Sequence, residues 1–343
     1  VDGATWDILD ELIAKGETPN FARLVETGFS DRFRTFLPTS SPLIWTTIAT
    51  GKVPEKHGII YWNYPVIPGV GNSILYFPKF LGAVNFVNQM MTNKIIATAP
   101  VSSSIRYTKA LWNINTDYGL RTQVVGWWAT WPTDSINGCI MSDFAFSKRH
   151  DRMMGRDRRP SIERSENFSA TLSFPPELYF ECASFEQECS QLTLEEANLF
   201  LDADSARLEE INNAGNWRSG DWGTGISLAY LKDKYYTEVS EYLLQNEDWD
   251  CHMVYLNQTD VLGHCFWPYY DPSIRKNRYG EGPYKDIVIN SYKVADDMLG
   301  RILKYADENT VVFVMSDHGF ETFKMNNELK GGHDFARSEE RRV

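Results

Sequence analysis

The chain has 343 residues, of which 43% are hydrophobic and 23% charged, and a formal net charge of −12. That length supports one large domain or a core with a sizeable insertion, and the composition is that of a globular fold. The acidic balance, 46 Asp and Glu against 34 Lys and Arg, argues against nucleic acid as a bulk electrostatic partner and is compatible with divalent cations.

No apolar run is long enough to span a bilayer as a helix. The five cysteines (Cys139, Cys182, Cys189, Cys251, Cys265) include no C-x-x-C pair. Their spacing therefore suits neither a structural zinc nor a redox dithiol, and their odd number leaves at least one thiol outside any internal disulfide. The chain opens on Val1-Asp2-Gly3. If Asp2 ends a strand, most of that strand lies upstream, and the N-terminus reads as trimmed.

Taken in chain order, residues 4–28 read as helical, with Ile8, Leu9, Leu12 and Ile13, then Phe21, Leu24 and Val25, at helical spacing. Gly28 suits a C-cap. The stretch "DRFRTFLPTSS" reads as a strand delivering a Ser/Thr-rich turn, and "PLIWTTIATG" as a helix begun by Pro42 and ended by Gly51. Residues 62–98, rich in Pro, Gly, Asn and aromatics, read as an irregular surface excursion.

Order returns over 106–145. There "KALWNINTDYGL" is helical, while "RTQVVGWWAT" and "GCIMSDF" are strands. Residues 147–222, with the basic run "KRHDRMMGRDRRP" and the helical "LTLEEANLFLDADSARLEEI", read as an insertion or cap. The core pattern then resumes with a helix over 226–245, the strand "DCHMVYLN", a long amphipathic helix over 286–306 and "TVVFVMSDHGF". The apolar run 311–315 predicts a buried strand of a parallel sheet, ending on Asp317 and His318. This alternation predicts an α/β fold with a doubly wound, mostly parallel sheet flanked by helices.

Chemistry-bearing residues gather at the predicted strand ends, where α/β sheets place their ligands. Asp260 and His264 in "LNQTDVLGHCFW" are four apart, one helical face if the chain turns helical there. Asp317 and His318 follow the last apolar run, His333 follows two glycines in "ELKGGHDF", and Asp2 precedes Gly3. Of the six histidines, His57 in a Pro/Gly turn reads as structural, and His150 and His252 have no such setting. Two Asp-His pairs plus one further Asp and His would make a binuclear site of N and O ligands, suited to zinc, manganese or iron. Two such cations clamp the attacking and leaving oxygens of an in-line displacement.

Thr39, Ser40 and Ser41 precede the Pro42 helix and admit two readings. They are good N-caps, and they are also candidate nucleophiles at a phosphate-friendly helix N-terminus. Trp127, Trp128 and Trp131 in "VVGWWATWP" read as pocket-shaping or core residues.

Together the motifs Asp2-Gly3, "TTIATGKVPEKHGI", "TDVLGH", "SDHGF" and "GGHDF" resemble, in order, the alkaline phosphatase superfamily, specifically its type I phosphodiesterase/nucleotide pyrophosphatase branch. The resemblance covers about 1–61, 106–145 and 226–335, leaving 62–105 and 147–222 as insertions or cap. It implies one divalent metal held by Asp260, His264 and His333 and another held by Asp2, Asp317 and His318, most often zinc. It also implies a nucleophile at Ser41, with Ser40 as the off-by-one alternative.

The implied activity is cleavage of a small phosphodiester or pyrophosphate through a phosphoseryl intermediate. Phosphomonoester or phosphonate hydrolysis, phosphomutase activity and a degenerate metal-binding member are the alternatives. The resemblance leans to a location outside the cytoplasm. The sequence departs from family patterns in three ways. Ile44 stands where nucleotide pyrophosphatases carry an Asn, and also where formylglycine sulfatases carry an Arg. The chain closes on "ARSEERRV" where the family continues with a strand.

Overall fold

The computed structural model describes residues 1–66, 97–146, 166–213, 222–274, 282–325 and 328–333. Side chains at 65–66, 97–98, 166–167, 222–224, 323–325 and 328–333 lie outside this description.

The N-terminal helical reading resolves into α1 (Trp6–Ala14) and α2 (Pro19–Thr27). Neither has a side-chain N-cap of its own. The first turn of α2 is instead held by a buried carboxylate: Asp296 accepts from the backbone N–H of Asn20 (3.1 Å) and of Phe21 (2.7 Å). After an irregular stretch, α3 (Ser41–Thr50) runs to Gly51, and Pro54–His57 forms one further helical turn.

His57 sits inside the fold as expected of a structural residue. Its Nδ1 accepts from the Ile59 N–H at 3.1 Å and its Nε2 meets Thr47 Oγ1 at 3.0 Å. Burial pushes its pKa down to about 4, so the ring is neutral at physiological pH.

The predicted irregular excursion is closed at its base by an antiparallel pair, β1 (Asn63–Val66) and β2 (Ala97–Pro100). Residues 67–96 between them lie outside the described residues. Then follow α4 (Leu111–Asp117), β3 (Thr122–Val125), β4 (Gly138–Met141), the short β5 (Ser173–Phe174), α5 (Ser205–Asn213), α6 (Trp222–Asn246) and β6 (Cys251–Val254). The chain continues with α7 (Gln258–Tyr270), α8 (Ile287–Leu303) and the hairpin β7 (Phe320–Met325) and β8 (Glu328–His333).

The central sheet has the order β5-β4-β3-β6 and is mixed: β3 runs parallel to both β4 and β6, while β5 is antiparallel to β4. Both faces are covered. Successive residues on a strand point to opposite sides, and Val125 and Met141 enter the larger core with α1, α6, α7 and α8, whereas Val124 and Ile140 pack with Trp45, Trp112 and Trp127. Helix α8 shows the corresponding logic, burying Ile287, Val288, Ser291, Tyr292, Ala295, Met298 and Leu299 along one stripe.

The described part of 166–213 adds β5 to this sheet and its helices to the larger core. The basic run and the rest of 147–165 lie outside the described residues, as do 214–221. All five cysteines are free thiols.

Two predicted strands are absent. Residues 29–40 form no ladder, and Phe29 and Phe33 are 88% and 87% exposed. Residues 311–315 are likewise unpaired, with Val311 and Phe313 76% and 79% exposed. Where this segment ends, the Val1 amino group donates to Met315 O at 2.9 Å and the Asp2 N–H to Leu256 O at 2.8 Å, so residues 1–2 lie between the end of β6 and Met315.

Candidate metal centre

The site lies where the carboxyl end of β6, the first residues of the chain, the N-terminus of α3 and the 316–319 turn converge. Its floor is set by Gly3, whose φ of +64° is a left-handed conformation that L side chains rarely adopt. A Cβ there would stand 2.8 Å from Asp260 Cβ, so the glycine permits the chain start and α7 to touch. The Gly3 N–H reaches Asp317 Oδ1 at 3.2 Å, and the Ala4 N–H reaches Ser316 Oγ at 2.9 Å.

Helix α7 carries Asp260 and His264 one turn apart, with His264 Nε2 3.4 Å from Asp260 Oδ1. The start of α7 is anchored from α6 by Asp233, which accepts from the N–H groups of Asn257 and Gln258. Burial outweighs those hydrogen bonds and lifts Asp233 to about 7.

His318 fits a ligand role in detail. Its Nδ1 lies 3.0 Å from Gly319 O. A carbonyl only accepts, so Nδ1 carries a proton and Nε2 is the ring nitrogen turned inward, the one that a cation would meet. That Nε2 is 3.4 Å from Asp317 Oδ2, 3.7 Å from Asp2 Oδ1 and 3.8 Å from Asp260 Oδ1. Asp2, Asp317 and His318 each offer one ligand atom, all within 4.8 Å of one another and all buried.

Three carboxylates gathered around one imidazole leave an excess of negative charge. Burial, then the charges of Asp2 and Asp260, push the Asp317 carboxyl well above the ordinary carboxylate range. Burial lowers the His264 pKa, but the adjacent Asp260 carboxylate outweighs it and the net shift is upward. A cation at the centre offsets both strains, so the donor set fits a divalent metal.

Ser41 joins this group as the first residue of α3. It is fully buried, with its Oγ 3.4 Å from Asp2 Oδ1. Ser40 occupies the N-cap, yet its hydroxyl makes no cap bond and finds no hydrogen-bond partner among the described residues. Ile44 is buried in the core. His333 ends β8 directly across the ladder from Phe320, whose ring lies 5.0 Å from that of His264. The backbone therefore brings residue 333 to the Asp260–His264 side, while its side chain lies outside the described set.

A comparison with protein families matches residues 1–342 to the type I phosphodiesterase / nucleotide pyrophosphatase family. The chain belongs to this family. Type I phosphodiesterases are part of the alkaline phosphatase superfamily, are hydrolases of phosphoric ester bonds in small substrates, and generally use divalent metal ions. No curated protein and no solved structure matches the chain. No helix among the described residues is long and apolar enough to cross a membrane.

For this type I phosphodiesterase, several contributors to the site escape sequence reading. Tyr255 donates its hydroxyl to Asp2 Oδ2, and Thr259 Oγ1 donates to Asp2 O. Nothing in the pattern separates Tyr255 from a core aromatic. It also carries an aromatic wall, with Trp45 and Trp128 edge-on to its ring at 5.2 and 6.1 Å and Trp62 on Trp128 at 4.9 Å. Of the three tryptophans singled out in sequence, Trp127 is core, Trp131 packs on Phe144 and Phe168, and Trp128 is the one packed against Tyr255.

Proposed function

We propose that the chain hydrolyses a small phosphodiester or pyrophosphate through a phosphoseryl intermediate on Ser41. The observation that carries this reading is the 3.4 Å approach of Ser41 Oγ to Asp2 Oδ1, within the cluster of buried carboxylates and His318. Asp2, Asp317 and His318 hold one divalent cation, and Asp260, His264 and His333 hold a second. Zinc suits this donor set, with manganese or iron as substitutes. When bound, the two cations neutralise the carboxylates and acidify the Ser41 hydroxyl.

Helix α3 presents Ser41 in its first turn, where the helix dipole favours a phosphoryl group. Attack forms the Oγ–P bond and breaks the bond from phosphorus to the leaving oxygen, and the hydroxyl proton ends on that leaving oxygen. Water then cleaves the Oγ–P bond and restores Ser41. Trp128 and Trp62, half-buried and backed by Tyr255, give a leaving group an apolar surface on the side of Asp2. The doubly wound arrangement of the sheet and a cap built from 62–105 and 147–222 belong to the same reading.

The experiment compares bis-p-nitrophenyl phosphate with p-nitrophenyl phosphate and measures metal content after purification without chelator. About two equivalents of transition metal, from the two-metal template, and preference for the diester are expected. Ser41→Ala is expected to keep the metal and lose nearly all turnover. A well-folded, active preparation without metal would overturn the two-cation reading, and undiminished Ser41→Ala activity would overturn the nucleophile.

A further inference from the structure

Asp2 is held through its N–H, its carbonyl and one carboxylate oxygen. Its N–H donates to Leu256 O at 2.8 Å, its carbonyl accepts from Thr259 Oγ1, and its Oδ2 accepts from the Tyr255 hydroxyl. All three partners belong to residues 255–259, the segment that leads directly into Asp260. One short piece of chain therefore sets the orientation of Asp2 and presents Asp260 itself.

Tyr255 is rigid enough for this task. Its N–H extends the ladder to Val125 O at 3.1 Å, and its ring is wedged between Trp45 and Trp128, with Lys232 Nζ 5.3 Å from its centroid. The two oxygens of Asp2 consequently face different neighbours. Oδ2 is engaged by the phenol, whereas Oδ1 faces Ser41 Oγ at 3.4 Å and His318 Nε2 at 3.7 Å.

We propose that Tyr255 is a positioning residue that makes Asp2 a one-oxygen ligand, its hydroxyl occupying Oδ2 so that Oδ1 alone faces the cation. This rests on the reading of the site as a metal centre. Without the phenol hydroxyl, Asp2 is free to rotate about its terminal bond and to offer both oxygens. That loosens the site and raises the number of donor atoms around the ion. Partners that orient a ligand in this way are worth about 10–100-fold in metal affinity.

The test uses the full chain, stripped of metal, with three proteins: the unaltered chain, Tyr255→Phe, and the chain with p-aminophenylalanine at position 255, which keeps an N–H donor in the same place. Zinc affinity is read by chelator competition, and the cobalt(II)-loaded proteins give visible spectra whose intensity falls as coordination number rises. Tyr255→Phe is expected to bind zinc about 10–100-fold more weakly and to give a weaker cobalt spectrum. The p-aminophenylalanine protein is expected to recover both.

Unaltered affinity and spectrum in Tyr255→Phe would overturn the inference. So would weakened affinity with an unchanged spectrum that the restored donor fails to rescue, because ring packing would then be the cause. If Tyr255→Phe does not fold, the p-aminophenylalanine protein decides alone, weak zinc binding by a folded protein counting against the inference. Failure of the unaltered chain to bind zinc or cobalt would instead overturn the metal-centre reading itself.

Discussion

Replacing Gly3 by alanine tests whether the contact between the chain start and α7 is as tight as the geometry demands. The added Cβ meets Asp260 Cβ at 2.8 Å and Asp260 Cα at 2.9 Å. Carbon atoms pack at about 3.5–4.0 Å, so backbone must retreat by about 0.6–1.2 Å. The left-handed backbone itself costs about 1–2 kcal/mol for a residue with a Cβ. Forcing a methyl into a filled space adds about 1–3 kcal/mol.

Gly16 supplies the control. Its φ is +71° and nothing lies within 4 Å of its added Cβ, so Gly16→Ala carries the backbone cost alone. Urea denaturation of both variants, with the slope held common, is expected to place Gly3→Ala below Gly16→Ala by about 1–3 kcal/mol. A difference under about 0.5 kcal/mol, the usual scatter of neutral substitutions, would refute the close approach of Gly3 and Asp260.

Arg106 is buried against Asp134, which also accepts from Trp112 Nε1. Arg106→Met is expected to cost about 3 kcal/mol in the same assay by leaving that carboxylate without its cation, and an unchanged midpoint would refute this.

Burial lifts Asp143 to about 6, against the pull of Lys232 and of hydrogen bonds from Ala129 and Thr130. Its folded state therefore holds a proton that the unfolded chain has released, so stability falls as pH rises from about 4 through 6, by up to about 3 kcal/mol from this group. Asp143→Asn is expected to flatten that part of the stability–pH curve, and an unaltered slope would refute it.

Much of the scaffold was legible because burial and periodicity coincide. The stripe of α8, the apolar β3 and β4, and the Pro42-to-Gly51 helix all announce themselves, and the structure forms them. Among the candidate residues, Asp260, His264, Asp317 and His318 follow apolar runs, Asp2 precedes Gly3 and Ser41 starts the Pro42 helix, and the fold brings these six near one another. The strand-like segments 31–41 and 311–315 form no ladder among the described residues, because hydrophobicity states what a segment would gain from burial and not what pairs with it. Tyr255 and Asp233 were illegible for another reason. Each acts on a backbone or carboxylate far away in sequence, and that relation has no local period.

The contacts closing the centre join residues separated by almost the whole chain: Val1 to Met315 and Gly3 to Asp317 are each 314 positions apart. Contacts of such separation are gained only after loop closure has been overcome, and they slow folding where they must form early. The approach of Asp2 to Asp317 therefore carries a large loop-closure cost, and the cluster they form is expected to assemble late in folding. A metal ion that binds there acts on a nearly finished molecule. Its stabilisation accordingly falls on the unfolding rate, lengthening the life of the folded state and leaving the speed of folding to the helices and the parallel β3–β4–β6 core.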